Sequence, residues 1–274
     1  MFCYLCSAIC PMSIVFDRAV EYYDQTRAMP PERHRAMIDA LVRETNMHEN
    51  SRVLEIGIGT GRIGISVAEH VRRLFGIDLS VEMMNKLRLK LVNTALNIDL
   101  AQANALHLPF ADETFDVVYA VHVYHLVADW RNALLDARRV LKPGGKLVVS
   151  FHQRDENSPN QLLRNQMRAM ANAYGIDTRR PGSQSEQELY AEIAKWDAQP
   201  RIVTTSAWQE DETVAEILSE IDRQIFSETW MIPRATMDLI MPRLYAWAKE
   251  KYGDPAPPIP AHYATRWLIA TKTI

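Results

Sequence analysis

A glycine-rich segment between a strand-like and a helix-like stretch is the part of the sequence best suited to bind a ligand. The chain reads Glu55-Ile56-Gly57-Ile58-Gly59-Thr60-Gly61 at this point. Glycines at a strand-to-helix turn allow a tight bend and let a ligand approach the backbone closely. The spacing Gly59-x-Gly61-x-x-Gly64 also satisfies the dinucleotide-binding pattern, although glycine spacing alone is a weak signal. A glycine-rich turn without a ligand is the alternative interpretation.

Two acidic residues beside this segment narrow the choice of ligand. Glu55 precedes the glycines, where a carboxylate would repel a pyrophosphate but attract a ligand that carries an ammonium and a sulfonium. S-adenosylmethionine carries both groups. Asp78 ends the next predicted strand, where a carboxylate accepts hydrogen bonds from ribose hydroxyls in both types of nucleotide fold. The acids therefore favour S-adenosylmethionine over a nicotinamide cofactor, which stays the less favoured alternative.

The elements around the glycine segment predict an α/β fold. Apolar stretches alternate with helix-like stretches through the first half of the chain, which is typical of parallel βαβ units with helices on both faces of a sheet. Pro143-Gly144-Gly145 is expected to end the last helix of this half. Strands are predicted over residues 52–56, 74–78, 98–103, 115–121 and 146–151, and helices over 62–73, 80–91 and 129–141.

The second half of the chain is predicted to be mostly helical. Helices are expected over 160–174, 185–197, 213–226 and 235–252, and strands over 201–209 and 264–273. The fold class is therefore a Rossmann-like, doubly wound sheet of seven mostly parallel strands with an antiparallel last strand and helical lid insertions. We expect three parts: an extension without regular structure (1–12), a cofactor-binding domain with N-terminal cover helices (13–152), and a helical substrate lid plus the last two strands (153–274).

Five motifs in the same order resemble those of the class I S-adenosylmethionine-dependent methyltransferases. The similarity is to the type 11 methyltransferase domain, which ubiquinone- and menaquinone-biosynthesis enzymes share with many natural-product methyltransferases. It implies an enzyme that transfers a methyl group from S-adenosylmethionine to an oxygen, nitrogen or carbon nucleophile of a small molecule. The motifs lie between Val53 and Ser150 and include Val53–Gly61, Asn104–Phe110, Phe115–Val118 and Arg139–Leu147.

The resemblance implies cofactor-binding roles for individual residues. It places Glu55 with Gly57, Gly59 and Gly61 around the methionine and ribose moieties of the cofactor. Asn104 stands where the family usually has aspartate, and its carbonyl is expected to accept a hydrogen bond from the adenine amino group. The other contacts that the resemblance implies are Asp78 at the ribose, Leu79 against the adenine, the Ala105 backbone N–H at the ring, and Val121.

A tyrosine and an arginine upstream are further candidates for binding the cofactor. Tyr23 and Arg27 lie four residues apart and would share one face of a helix. This stretch resembles the segment that covers the cofactor in the family, and an arginine suits the methionine carboxylate. The alternative is a surface helix that is packed by its tyrosines.

Two histidines after the fourth predicted strand are candidates for a general base. The family often has two adjacent histidines there, whereas this chain reads His122-Val123-Tyr124-His125-Leu126. His125 occupies the first of the family's two positions, and Leu126 replaces the second. A histidine near the transferred methyl group could take a proton from a hydroxyl or amine. A structural histidine that bonds to a nearby loop is the alternative for each.

Composition limits the classes of partner. The chain has 31 Lys and Arg and 34 Asp and Glu, a net charge of −3 that argues against a nucleic-acid partner. No segment predicts a membrane span. We therefore expect a small-molecule substrate, with a cofactor-binding regulatory protein and a macromolecular methyltransferase as alternatives.

The three cysteines lie close together near the start of the chain. All three cysteines of the chain, Cys3, Cys6 and Cys10, lie there, so the rest of the sequence has no disulfide framework. This favours a cytoplasmic location. The spacing of these cysteines lacks a fourth metal ligand, so no metal site is expected. Residues Met1–Pro11 have no core periodicity, and we expect them to be dispensable for folding and cofactor binding.

Overall fold

A seven-stranded sheet carries the fold. This computed structural model describes residues 13–196, 199–254 and 256–273. For His152 it describes the backbone but not the side chain. The strand order is β3-β2-β1-β4-β5-β7-β6, and β1 to β5 are parallel. The strands are β1 (Val53–Ile56), β2 (Leu74–Asp78), β3 (Ile98–Gln102), β4 (Phe115–Val121), β5 (Leu141–Arg154), β6 (Arg201–Glu212) and β7 (Ile259–Thr271).

The last strand runs antiparallel to its neighbour β5. The Gly144 N–H donates to the Lys272 carbonyl at 2.8 Å, and the Asp155 N–H donates to the His262 carbonyl at 3.0 Å. Residue numbers therefore fall along β7 while they rise along β5, which defines antiparallel pairing. The predicted Rossmann-like sheet with an antiparallel last strand is confirmed.

The chain forms two compact units. The first comprises the described residues of Met1–Phe151, Pro181–Val203 and Trp267–Ile274, and the second comprises those of His152–Arg180 and Thr204–Arg266. Residues 1–12, which include the predicted extension and the three cysteines, lie outside the described residues. The helices of the first unit are α1 (Tyr23–Thr26), α2 (Pro31–Thr45), α3 (Gly64–Ala68), α4 (Val81–Leu91), α5 (Trp130–Val140) and α7 (Glu186–Ala194).

Apolar side chains cover both faces of the sheet in the first unit. Successive strand residues alternate between two core clusters: Leu54 and Val118 belong to one, Val53 and Val117 to the other. Helices α5 and α7 supply residues to the first cluster, and α2, α3 and α4 supply residues to the second. Burial on both faces explains why these strands read as continuous apolar runs.

The segment Pro143–Gly145 does not end a helix as predicted. Helix α5 ends at Val140, and β5 begins directly at Leu141. The register between β4 and β5 shifts here, because Phe115 pairs with Leu141 whereas Val117 pairs with Lys146. Residues 142–145 therefore form a bulge within the strand, and Gly144 takes the left-handed φ of +78° that such a bulge requires.

The second unit has a helical core of its own. It contains α6 (Pro159–Ala173), α8 (Val214–Asp222) and α9 (Arg234–Tyr252). Their apolar faces form one cluster that includes Met167, Leu218 and Ile240. By contrast, α7 contributes Leu189 and Ile193 to a core cluster of the first unit. Among the described helices, none is both long and apolar enough to cross a lipid bilayer.

Candidate cofactor-binding and active site

The glycine segment forms the loop between β1 and α3. Gly57, Gly59 and Gly61 all take left-handed φ values, of +74°, +55° and +77°. A Cβ at Gly57 would lie 2.5 Å from Val123 Cγ2, and a Cβ at Gly61 would collide with Leu87. At Gly59 the one described neighbour within 4 Å is Asp78 Oδ2, at 3.9 Å. Protein packing therefore requires the outer two glycines, whereas the backbone at Gly59 is open to a ligand.

Asp78 is held beside this loop at the end of β2. Its Oδ2 accepts a hydrogen bond from the Gly59 N–H, and its Oδ1 accepts one from the Ser80 N–H, both at 2.8 Å. Ser80 in turn caps α4, as predicted, by accepting from the Met83 N–H. Burial raises the pKa of the Asp78 carboxyl above its ordinary value, against the lowering effect of the backbone N–H groups of Ser80, Gly59 and Leu79. Asp78 thus has a fixed orientation next to the open glycine.

Glu55 lies inside the first unit, where it is 2% exposed. The Tyr119 hydroxyl donates to Glu55 Oε2 at 2.9 Å, and a Cβ at Gly64 would lie 2.6 Å from the same oxygen. Burial raises the pKa of Glu55 to about 8, although the Tyr119 hydrogen bond and the charge of Arg62 oppose this rise. Burial therefore favours the neutral form of the Glu55 carboxyl.

The loop after β3 contains Asn104 and Ala105, two of the residues that are expected to contact the adenine. Asn104 Oδ1 accepts a hydrogen bond from the Leu106 N–H at 3.0 Å, which fixes the turn. An amide oxygen has two lone pairs, so one stays available to a ligand. Ala105 is buried in this turn. The Leu79 carbonyl accepts a hydrogen bond from the Gln102 side chain at 3.1 Å, so the loops after β2 and β3 lie together.

Hydrogen bonds and an ion pair attach the N-terminal segment to the glycine segment and to α4. Asp24 Oδ1 accepts from the Thr60 hydroxyl at 2.6 Å, and Asp24 Oδ2 lies 2.7 Å from Lys90 Nζ. Partial burial alone would raise the pKa of Asp24, but the hydrogen bonds from Lys90 and Thr60 outweigh it and lower the pKa. Asp17 also accepts from the Ser80 hydroxyl at 2.5 Å. Sequence reasoning missed these contacts because the partners are more than 30 residues apart.

Tyr23 and Arg27 lie in this N-terminal segment, but only Tyr23 belongs to a helix. Helix α1 spans four residues, and Arg27 is the residue that follows it, with φ −118°. The Tyr23 ring packs edge-to-face against Phe16, with ring centroids 6.0 Å apart. Arg27 Nη1 donates to the Thr26 carbonyl at 3.3 Å. Their proposed role at the cofactor stays a prediction.

The two candidate histidines lie together after β4. Their ring centroids are 6.5 Å apart, and His122 takes a left-handed φ of +58°. Val121, the last residue of β4, follows Ala120, which pairs with Ile56 of β1. Because the carboxyl ends of parallel strands meet at one edge, the histidines share that edge with Gly57 and Asp78. The structure thus brings the glycine loop, Asp78, Asn104 and both histidines to one edge of the sheet.

Comparison with known proteins identifies the domain. Residues 54–149 match the model of a family described as a methyltransferase domain. The phosphatidylethanolamine N-methyltransferase of Cereibacter sphaeroides is 32% identical over 138 residues, 48% of this chain and 68% of that protein. The demethylmenaquinone methyltransferase of Bacillus subtilis is 31% identical over 139 residues, 49% of this chain and 60% of that protein. The chain spans about half to two-thirds of the length of the curated relatives it matches.

A solved structure supports the fold. The YcgJ protein of Bacillus subtilis superimposes with a TM-score of 0.61 at 19% identity, covering 88% of this chain and 99% of that one. The sheet topology and the glycine loop are those of the Rossmann-like methyltransferase class. This chain belongs to the S-adenosylmethionine-dependent methyltransferase family that is defined by the type 11 methyltransferase domain.

Proposed function

We propose that this protein transfers a methyl group from S-adenosylmethionine to an oxygen, nitrogen or carbon atom of a small molecule. The observation that carries the proposal is the pairing of an open, left-handed Gly59 with the fixed Asp78 carboxylate beside it. The two relatives are named for phosphatidylethanolamine and demethylmenaquinone. Neither name refers to a protein or a nucleic acid, which supports a small-molecule acceptor here.

The residues of the site fit this cofactor. The Asp78 carboxylate accepts backbone hydrogen bonds from Gly59, Ser80 and Leu79 and keeps lone-pair capacity for a ribose hydroxyl. A Cβ at Gly59 would have Asp78 Oδ2, at 3.9 Å, as its one described neighbour within 4 Å, which leaves room for a ligand to contact the loop backbone. A cationic ligand near Glu55 would favour ionisation of its neutral carboxyl. We assign cofactor binding to Glu55, Gly57, Gly59, Gly61, Asp78, Leu79, Asn104, Ala105, Val121, Tyr23 and Arg27.

The protein itself has to align the acceptor with the cofactor and to remove a proton from the acceptor. The bound cofactor supplies an electrophilic methyl group, so the enzyme has to orient the acceptor and exclude water. His122 and His125 are the groups that we propose to accept the proton which a hydroxyl or amine acceptor loses. A carbon acceptor with an acidic C–H would use the same base.

Isothermal titration with S-adenosylhomocysteine tests the cofactor assignment. Gly59→Ala should weaken binding at least about tenfold, because the new methyl group would occupy the space where the ligand meets the backbone. Gly144→Ala is the matched control: Gly144 also has a left-handed φ of +78° and open space around it, but it lies in the bulge at the start of β5. Both variants should lose stability, and only Gly59→Ala should lose affinity. Equal affinities would contradict the assignment.

A labelled methyl donor tests the reaction itself. We expect label to pass from S-adenosylmethionine to a low-molecular-weight compound when the protein is incubated with fractionated cell extract. Label in the protein or nucleic-acid fraction would indicate a macromolecular acceptor instead. Binding of the cofactor without transfer in any fraction would favour a regulatory protein, and preferential binding of NAD would favour an oxidoreductase.

The hypothesis that helices within residues 153–274 form a substrate lid has its own test. Hydrogen exchange is measured with and without S-adenosylhomocysteine. If the hypothesis holds, bound ligand raises protection in α6 and α7 as well as in Glu55–Gly61, because closing a lid excludes water and restrains its helices. Protection confined to the glycine loop would contradict the lid.

A further inference from the structure

The loop after β4 receives backbone hydrogen bonds from two remote parts of the chain. Three successive carbonyls of this loop each accept an N–H that lies at least 50 residues away along the sequence. Because each donor is a main-chain group, the contacts fix the path of the loop rather than one side chain. The pairs are Ser183 N to Tyr124 O at 3.0 Å, Gly182 N to His125 O at 3.1 Å, and Ile14 N to Leu126 O at 3.1 Å.

Gly182 makes the closest of these approaches. A Cβ at this position would lie 2.7 Å from the His125 carbonyl carbon and 2.8 Å from the Val127 carbonyl oxygen, and closer still to the Tyr124 oxygen. All three are backbone atoms, which cannot rotate away as the end of a side chain can. Gly182 is not among the glycines with positive φ, so space and not conformation requires glycine here.

The segment that supplies Gly182 and Ser183 is itself anchored. Ser185 caps α7 by accepting from the Glu188 N–H at 3.1 Å, and the Glu188 carboxylate accepts from the Gln184 N–H at 2.9 Å. This arrangement is close to a capping box, which fixes the chain as it enters the helix. Leu189 of α7 is buried in the core of the first unit. The two donors are thus tied to a packed helix.

The loop that they hold contains a strained residue. His122 takes φ +58°, a conformation that is unfavourable for a residue with a side chain and persists where the surroundings enforce it. The carbonyls that accept the remote hydrogen bonds begin two residues after His122 and include that of His125. The loop therefore holds one of the two candidate bases, His122, in a backbone conformation that residues with side chains seldom adopt.

We propose that Gly182 and Ser183 are positioning residues that hold His122 and His125 in place for methyl transfer. A role of this contact in catalysis rests on the proposed function, whereas the hydrogen bonds themselves are independent of it. The backbone of these residues presents two N–H groups to the loop, and only glycine at 182 allows the approach. The proposal concerns the geometry of the bases and predicts little effect on cofactor affinity.

The test is Gly182→Ala in the full chain, followed by nitrogen NMR of the histidine side chains. We expect the imidazole signals of His122 and His125 to shift, with those of His48 and His70 unchanged. The amides of residues 182 and 183 should exchange about tenfold faster, the equivalent of losing about one hydrogen bond. Affinity for S-adenosylhomocysteine should stay within about threefold of wild type, a change well below 1 kcal/mol.

Two further variants separate positioning from general damage. Ser183→Ala removes a hydroxyl that bonds to the Ser185 carbonyl at 3.0 Å but keeps both backbone donors, so the histidine signals should not move. Ile14→Pro removes the donor to Leu126 and should shift them in the same direction as Gly182→Ala by a smaller amount. Unchanged histidine signals in Gly182→Ala, or equal shifts in Ser183→Ala, would overturn the proposal. Failure of the wild type to bind S-adenosylhomocysteine would overturn the proposed function alone.

Discussion

Asp78→Ala is expected to weaken cofactor binding by about 1–3 kcal/mol, roughly 5- to 150-fold, as measured by titration with S-adenosylhomocysteine. The carboxylate would lose its hydrogen bonds to the ribose, and the Gly59 and Ser80 N–H groups would lose their acceptor. The second loss loosens the glycine loop, so the variant removes a ligand contact and the group that orders the loop. Asp78→Asn keeps one acceptor oxygen and should have an intermediate effect.

Asp116 provides the control for this variant. Its carboxylate also accepts a backbone hydrogen bond, from the Arg52 N–H at 2.8 Å, and it pairs with Lys142 at 2.7 Å. It lies near the start of β4 and therefore at the opposite edge of the sheet. Asp116→Ala should lower the free energy of unfolding without changing cofactor affinity. Equal affinity losses in the two alanine variants would mean that Asp78 acts on the fold and not on the ligand.

Strand positions were the part of the fold that the sequence predicted best. Strands β2 and β4 have the predicted bounds, 74–78 and 115–121. A parallel strand that is buried on both faces reads as an apolar run, and glycine or acidic residues mark its carboxyl end. The information is local, so a single sequence suffices to find it. The same locality explains why Ser80 was identified correctly as a helix cap.

Features that depend on distant partners were not predictable in this way. Pro143–Gly145 has the composition of a helix end, but pairing with β4 makes it a bulge. N-terminal cover helices are expected from the sequence, but the bounds of α2 were not predicted, although Pro31 at its start and the left-handed Asn46 at its end are recognisable signals. Its charged residues are as numerous as its apolar ones. Its helical character therefore depends on burying Met37, Ile38 and Leu41 in a core cluster of the first unit.

In the candidate site, too, some features follow from the local sequence and others depend on distant partners. The glycines and Asp78 could be found from the sequence, because the glycine segment follows one predicted strand and Asp78 ends the next. The pairing of Tyr119 with Glu55 spans 64 residues and emerges only from the register between β1 and β4. Burial raises the pKa of Glu55, and this consequence of the fold is not indicated by residue type.

Stability should fall as pH rises through neutrality, and Glu55→Gln should remove most of this dependence. Folding raises the pKa of Glu55 from an ordinary value of 4.5 to about 8. Between these values the folded protein binds a proton that the unfolded chain has released, so the unfolding free energy decreases with pH. The stabilisation is fully present below 4.5 and lost above about 8. From pH 5 to pH 9, the wild type should lose about 4 kcal/mol more than the variant.

Urea unfolding across this pH range measures the difference, and Tyr119→Phe provides a second test of its origin. Glutamine has the shape of the neutral carboxyl, so the variant should match the wild type near pH 5 and be the more stable protein at pH 9. The Tyr119 hydroxyl donates to Glu55 and lowers its pKa. Removing this hydroxyl should therefore raise the pH at which half of the stabilisation by Glu55 is lost, relative to the wild type. Parallel stability profiles for wild type and Glu55→Gln would show that Glu55 is ionised in the folded protein, as the sequence alone suggested.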